Sequence, residues 1–91
     1  MISNCRICVG NQTIELQVRA EATGEWRWSV LTPRGNAMEE GSTPSKLSAQ
    51  IISQRALEER LRVAGLAYAV TDSYEWKDLG GAGSRYLLDE L

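Results

Sequence analysis

The sequence predicts an α+β domain in which an antiparallel sheet of about four to six strands packs on one long helix. Three observations predict this class. In the first half, apolar and polar residues alternate strictly, as they do in half-buried strands. Short turn signals separate these segments, and short connections favour antiparallel neighbours. A capped stretch of about 20 residues then carries apolar side chains at helical spacing.

The predicted order of elements along the chain is β-β-β-(β)-α-β-(β). The first strand ends at a Gly10-Asn11 turn, and the second runs from Thr13 to a turn at Thr23-Gly24. A third strand follows and ends at the turn Pro33-Arg34-Gly35-Asn36, in which Pro presets φ and Gly tolerates φ > 0. Residues 37–40 are predicted to form a short edge strand. The alternating apolar positions are Cys5, Ile7, Val9, Ile14, Leu16, Val18, Ala20, Trp26, Trp28 and Val30.

A helix is predicted from Pro44 to Ala64. Thr43 is placed as its N-cap, Pro44 suits the first helical position, and Gly65 can adopt the left-handed conformation that ends a helix. The face assigned to the sheet consists of Leu47, Ile51, Leu57, Leu61 and Ala64. A second, weaker apolar stripe consists of Ala49, Ile52, Ala56 and Val63, and we expect it to be exposed in a monomer.

After the helix, alternation at Leu66, Tyr68 and Val70 predicts another strand, and Tyr74 with Trp76 predicts a final one. Residues 1–91 are interpreted as a single domain. Residues 79–91 are interpreted as a glycine-rich linker and a C-terminal tail, which could dock on a partner subunit.

Composition restricts the function classes. The net charge is −2 and the isoelectric point is about 5.1, which disfavours nucleic-acid binding. No apolar stretch approaches the roughly 20 residues of a membrane span. The N-terminus lacks the apolar core of a signal peptide. These features predict a cytoplasmic protein without a membrane segment, and its two cysteines are then expected to be reduced.

Two short motifs suggest chemistry but do not complete a site. Cys5 and Cys8 give half of a zinc site in a chain without histidine, and on one strand they would point to opposite faces. The segment Gly81-Ala82-Gly83 lacks the third glycine of a dinucleotide-binding loop. Catalysis without histidine would require carboxylates, lysine, tyrosine or cysteine as general acids or bases. These residues are not spaced here as in a known catalytic motif. We therefore predict no catalytic residue, no metal and no cofactor.

One run of residues resembles a known family. The segment Gly24-Glu25-Trp26-Arg27-Trp28-Ser29-Val30, then Gly35, then Gly41-Ser42-Thr43-Pro44 and a helix, is similar to the small modules of HicB-like antitoxins. The resemblance covers Ile14 to Val70 at most. It implies a degenerate ribonuclease-H-like fold that binds a partner toxin. The separate DNA-binding tail usual in that family has no counterpart in residues 72–91.

Two functional classes follow from these patterns. The first is a non-enzymatic protein-interaction module, such as an accessory protein of a bacterial mobile element or phage, with an unidentified protein partner and a homodimeric state. Its candidate contact residues are Ala49, Ile52, Ala56, Val63, Tyr86 and Leu87. The second is a small-ligand-binding domain with a pocket between sheet and helix. Its candidate lining residues are Trp28, Tyr68 and Trp76.

Overall fold

The fold is that of the predicted class: a five-stranded antiparallel sheet with one helix packed on one of its faces. It is taken from a computed structural model that describes residues 1–70 and 73–79. The elements are β1 (Ile2–Val9), β2 (Gln12–Ala20), β3 (Trp26–Leu31), β4 (Ala37–Thr43), α1 (Lys46–Val63) and β5 (Lys77–Leu79), with a 3₁₀ turn at Ala67–Ala69. No helix in this part of the chain is long and apolar enough to cross a membrane.

The strands lie side by side in the order β4-β3-β2-β1-β5. The first four form a meander, and α1 then carries the chain back across the sheet so that β5 pairs with β1. Leu16 lies opposite Cys5 on one side and Val30 on the other, which places all three on the helix-covered face. The buried cluster between the two layers consists of Cys5, Ile7, Ile14, Leu16, Val18, Trp28, Val30, Ala49, Leu57 and Leu61.

The ends of α1 are set by local hydrogen bonds. The N-cap is Ser45, whose hydroxyl accepts a hydrogen bond from Ser48 N at 3.1 Å, so the predicted cap at Thr43 was wrong. Thr43 instead ends β4, and its hydroxyl donates to Ser45 O at 2.8 Å. At the other end Gly65 has φ +73°, and Leu66 N donates to Leu61 O at 2.8 Å. The prediction that Gly65 ends the helix is therefore confirmed.

The helix buries only part of the predicted face: Leu57 and Leu61 are buried as predicted, whereas Leu47, Ile51 and Ala64 are exposed. The residues in the core, Ala49, Ser53, Leu57 and Leu61, are each four positions apart and so form one row. Leu47 is 65% exposed, and Ile51 is also exposed. The N-terminal part of the predicted face was wrong because Ile51 and Leu57 are six residues apart, which separates them by about 120° around the helix axis.

The segment after the helix also differs from its prediction. The predicted strand at Leu66, Tyr68 and Val70 is a 3₁₀ turn, followed by a single bridge between Val70 and Val9. The last strand begins at Lys77 rather than at Tyr74, because Tyr74 and Trp76 turn toward α1 and bind its side chains. The predicted linker and tail began at Leu79, which is instead the last residue of β5, and the rest of that segment, with the contact residues Tyr86 and Leu87, lies outside the described residues.

Candidate functional site

An apolar groove opens at the end of the molecule where the β1–β2 turn meets the C-terminal end of α1. We call it the end groove. Its volume is about 660 Å³, which is within the usual range of binding pockets. Apolar side chains from three parts of the fold line most of its wall. The lining residues are Val9, Gly10, Asn11, Gln12, Ile14, Met38, Leu57, Arg60, Leu61, Ala64, Leu66, Tyr68 and Ala69.

Tyr68 stands on the rim of the end groove with 82% of its surface exposed. The 3₁₀ turn that carries Tyr68 is fixed at its base. Gly10 N donates to Ala69 O at 3.4 Å, and Val70 forms its bridge with Val9. The tyrosine is therefore an aromatic projection on a turn that is attached to the sheet.

Arg60 supplies the charge at the end groove, and two of its five N–H donors are already used. Its Nε donates to Glu39 Oε1 at 3.0 Å, and its Nη2 donates to Met38 O at 2.8 Å. Met38 O belongs to β4, so Arg60 connects the C-terminal half of α1 to the outer strand of the sheet. Among the described lining residues, none is a carboxylate, lysine or cysteine. The end groove is therefore suited to binding apolar groups.

A second concave surface lies along the β5 edge of the sheet, between β1 and residues 73–79. We call it the polar cleft. Its volume is about 540 Å³, and its described lining is Asn4, Arg6, Ser73, Glu75, Lys77 and Leu79. These residues lie on the sheet face that α1 leaves uncovered, since Asn4 pairs with Lys77 and side chains alternate along each strand. The cleft is therefore separated from the core by the sheet itself.

In residues 74–78 every second side chain binds a side chain of α1, and these contacts hold the β5 edge of the sheet against the helix. Tyr74 Oη donates to Glu58 Oε2 at 3.1 Å, Trp76 Nε1 donates to Gln54 Oε1 at 2.7 Å, and Lys46 Nζ donates to Asp78 Oδ1 at 2.9 Å. Burial, followed by the charge and hydrogen bond of Glu58, raises the pKa of the Tyr74 phenol. Hydrogen bonds from Lys46 and Ser3 lower the pKa of the Asp78 carboxyl. The intervening side chains of Ser73, Glu75 and Lys77 line the cleft.

The structure separates the three residues predicted to line one pocket. Trp28 is buried in the core, Trp76 lies beside α1, and Tyr68 lines the end groove. Leu57, Leu16 and Val30 are fully buried between the layers, in the space where that pocket was expected.

The predicted contact stripe on the helix is also divided. Ala49 is in the core and Ala56 packs against it, whereas Ile52 and Val63 are exposed. The expectation that Ala49 is exposed was wrong, because this position falls in the same four-residue row as Leu57. Whether the exposed members contact another chain stays a prediction.

The cysteines lie as predicted for one strand. Cys5 is buried on the helix side and Cys8 is exposed on the opposite side, and neither forms a disulfide. Burial raises the pKa of the Cys5 thiol. Within residues 1–70 and 73–79, no cluster of His, Cys, Asp or Glu is arranged to hold a metal ion.

Several lining residues of both sites escaped the sequence analysis. Val9 and Leu66 of the end groove each adjoin a turn glycine in the sequence. An apolar residue beside a turn was the one sequence feature that could have indicated this site. Asn4 and Arg6 of the polar cleft gave no signal, because polar residues on an alternating strand are expected on any solvated face. The chain matches no protein-family model, no curated protein and no solved structure.

Proposed function

We propose that this chain is a non-enzymatic protein-interaction module and that its end groove binds a second copy of the chain. The observation that carries the proposal is the position of Tyr68 on the rim of the groove. A two-fold interface uses the same surface on both subunits, so that surface needs both a projection and a recess. In this chain Tyr68 is the projection, and the end groove beside it is the recess.

Chemistry supports this pairing of tyrosine and groove. A buried aromatic side chain contributes a large apolar area, and tyrosine is enriched among the residues that dominate binding energies. The groove wall is mostly aliphatic, with Leu57, Leu61 and Ala64 on one side and Val9 and Ile14 on the other. Its polar residues Gln12 and Asn11 are available for the phenol hydroxyl of the incoming side chain.

The helix surface supports the groove as the main contact. Val63 is 72% exposed and directly precedes Ala64 of the groove wall, so an interface centred on the groove can extend over it. The stripe predicted from the sequence would have been centred on Ala49 and Ala56, which pack against the sheet. The homodimer proposed here therefore uses the end of the helix rather than its length.

The test measures the molar mass of the purified chain by size-exclusion chromatography with light scattering, over a series of concentrations. We expect a monomer–dimer equilibrium. Tyr68→Ser should weaken the dimer by about tenfold or more, because it removes the aromatic side chain of a central contact.

Leu47→Ser is the matched control. It also replaces an exposed apolar residue, but one near the opposite end of α1, and it should leave the dimer unchanged. Thermal melts confirm that both variants fold. A monomeric wild-type chain at high micromolar concentration overturns the proposal, and so does a Tyr68→Ser variant that dimerises as strongly as the wild type.

A further inference from the structure

We propose that the polar cleft binds a small zwitterion of the amino-acid type, which carries a carboxylate and an ammonium group. The juxtaposition that suggests this ligand is two cations, one carboxylate and one buried amide oxygen around a single recess. The cations are Arg6 and Lys77, the carboxylate is Glu75, and the amide oxygen is Oδ1 of Asn4.

The cleft is held open by the contacts of residues 74–78 with α1. β5 pairs with β1 only from Ile2 to Asn4, and the chain before Lys77 is drawn toward the helix by Tyr74 and Trp76. Glu75 alternates with these two anchors and so faces the cleft. The shape of the polar cleft therefore depends on Tyr74 and Trp76, which lie on the other side of this segment and bind α1.

The charges of the cleft are not paired with one another. Among the described residues, Arg6, Glu75 and Lys77 form no ion pair within 4.0 Å, although all three line the same recess. Elsewhere on the same sheet face opposite charges do meet, as Arg27 and Glu21 do at 2.9 Å. The unpaired donors of Arg6 and Lys77 suit a carboxylate, and the unpaired Glu75 suits a cation.

Asn4 adds an independent observation. Its Oδ1 is the one buried side-chain nitrogen or oxygen in residues 1–70 and 73–79 that lacks a hydrogen-bond partner. Buried acceptors are nearly always paired, and an unpaired one points to a group that completes it. Because this oxygen is buried, the Asn4 amide must rotate toward the cleft to accept from an ammonium group beside Glu75, while the ligand's carboxylate meets Arg6 and Lys77. A zwitterion thus satisfies all four side chains, whereas a simple anion leaves Glu75 and Asn4 without a partner.

The test follows the ¹H–¹⁵N spectrum of the full chain while each common amino acid is added in turn. Ligands this small typically bind in about the millimolar range, so each is added to about 10 mM. We expect at least one amino acid to shift the signals of Asn4, Arg6 and Lys77 until they saturate. Acetate and methylammonium each carry half of the charge pattern and should bind at least about tenfold more weakly.

Variants identify the site. Arg6→Gln and Glu75→Gln should each weaken binding of that amino acid by about tenfold or more, and both positions are exposed enough for the chain to fold. Arg19→Gln, on the same sheet face but on β2, is the matched control and should bind as the wild type does. The proposal is overturned if no amino acid gives saturable shifts, if acetate binds as tightly as the amino acid, or if Arg6→Gln binds normally.

Discussion

The N-terminal half of α1 buries small side chains, whereas its C-terminal half buries leucines. Ala49 and Ser53 meet the sheet in the first half, and Leu57 and Leu61 do so in the second. These small helix residues share their core with bulky residues of the sheet such as Leu16 and Trp28. In the second half the helix supplies the bulk, and a groove remains beyond the leucines.

Trp28 also needs room on its own side of the interface. A Cβ atom at Gly41 of β4 would lie 2.8 Å from Nε1 of Trp28, so the indole fits only because that position is glycine. The buried row of α1 thus mixes small and large side chains, while the larger apolar residues Leu47 and Ile51 are exposed. Hydrophobicity along the helix is therefore a poor guide to its buried face.

The largest expected effect concerns the leucine half. Leu57 is 1% exposed, and Leu57→Ala should reduce the free energy of unfolding by about 2–5 kcal/mol, because it leaves a cavity in the core. Leu47→Ala, at an exposed position of the small-residue half, should change it by about 0.5 kcal/mol or less. Urea denaturation of both variants makes the comparison. Equal losses would contradict the assignment of the buried face.

A larger side chain should lower stability more in the N-terminal half of α1 than at its C-terminal end. Ala49→Leu should destabilise the protein by about 1–3 kcal/mol, since Ala49 is fully buried and a larger side chain would overpack the core. Ala64→Leu extends into the end groove and should change stability by about 0.5 kcal/mol or less. The measurement is thermal unfolding at one low protein concentration. An Ala49→Leu variant as stable as the wild type would remove the distinction between the halves.

The smallest expected effect concerns the ion pair of the N-terminal half. Lys46 lowers the pKa of Asp78, so the pair stabilises the fold above the ordinary carboxyl pKa, and this contribution is lost as the pH falls through the lowered value. Because Asp78 is half exposed, solvent screening keeps the contribution to about 0.5 kcal/mol or less.

The measurement is the free energy of unfolding of Asp78→Asn and of the wild type between neutral and acidic pH. The variant should lose less stability over this interval. Glu25→Gln, at an exposed turn position, is the control and should follow the wild type. A parallel decline of Asp78→Asn and wild type would show that the pair contributes nothing.

Much of the fold but little of either site could be predicted from the sequence. Cys5, Leu16 and Val30 alternate with polar neighbours, and this local pattern was enough to orient the strands. The end groove combines Val9, Met38 and Leu66, which are distant in the chain and meet only through the sheet order and the helix crossing. The polar cleft depends on Tyr74 and Trp76 turning to the helix, which their alternation with charged residues did not indicate.

The sequence by itself determined the meander, its turns and the end of the helix at Gly65, because these depend on residues a few positions apart. The tertiary structure alone decided which row of α1 is buried, where β5 begins and how the two recesses form. These outcomes depend on packing side chains such as Trp28 and Ala49, which are far apart in the chain and share one core only after the layers pack.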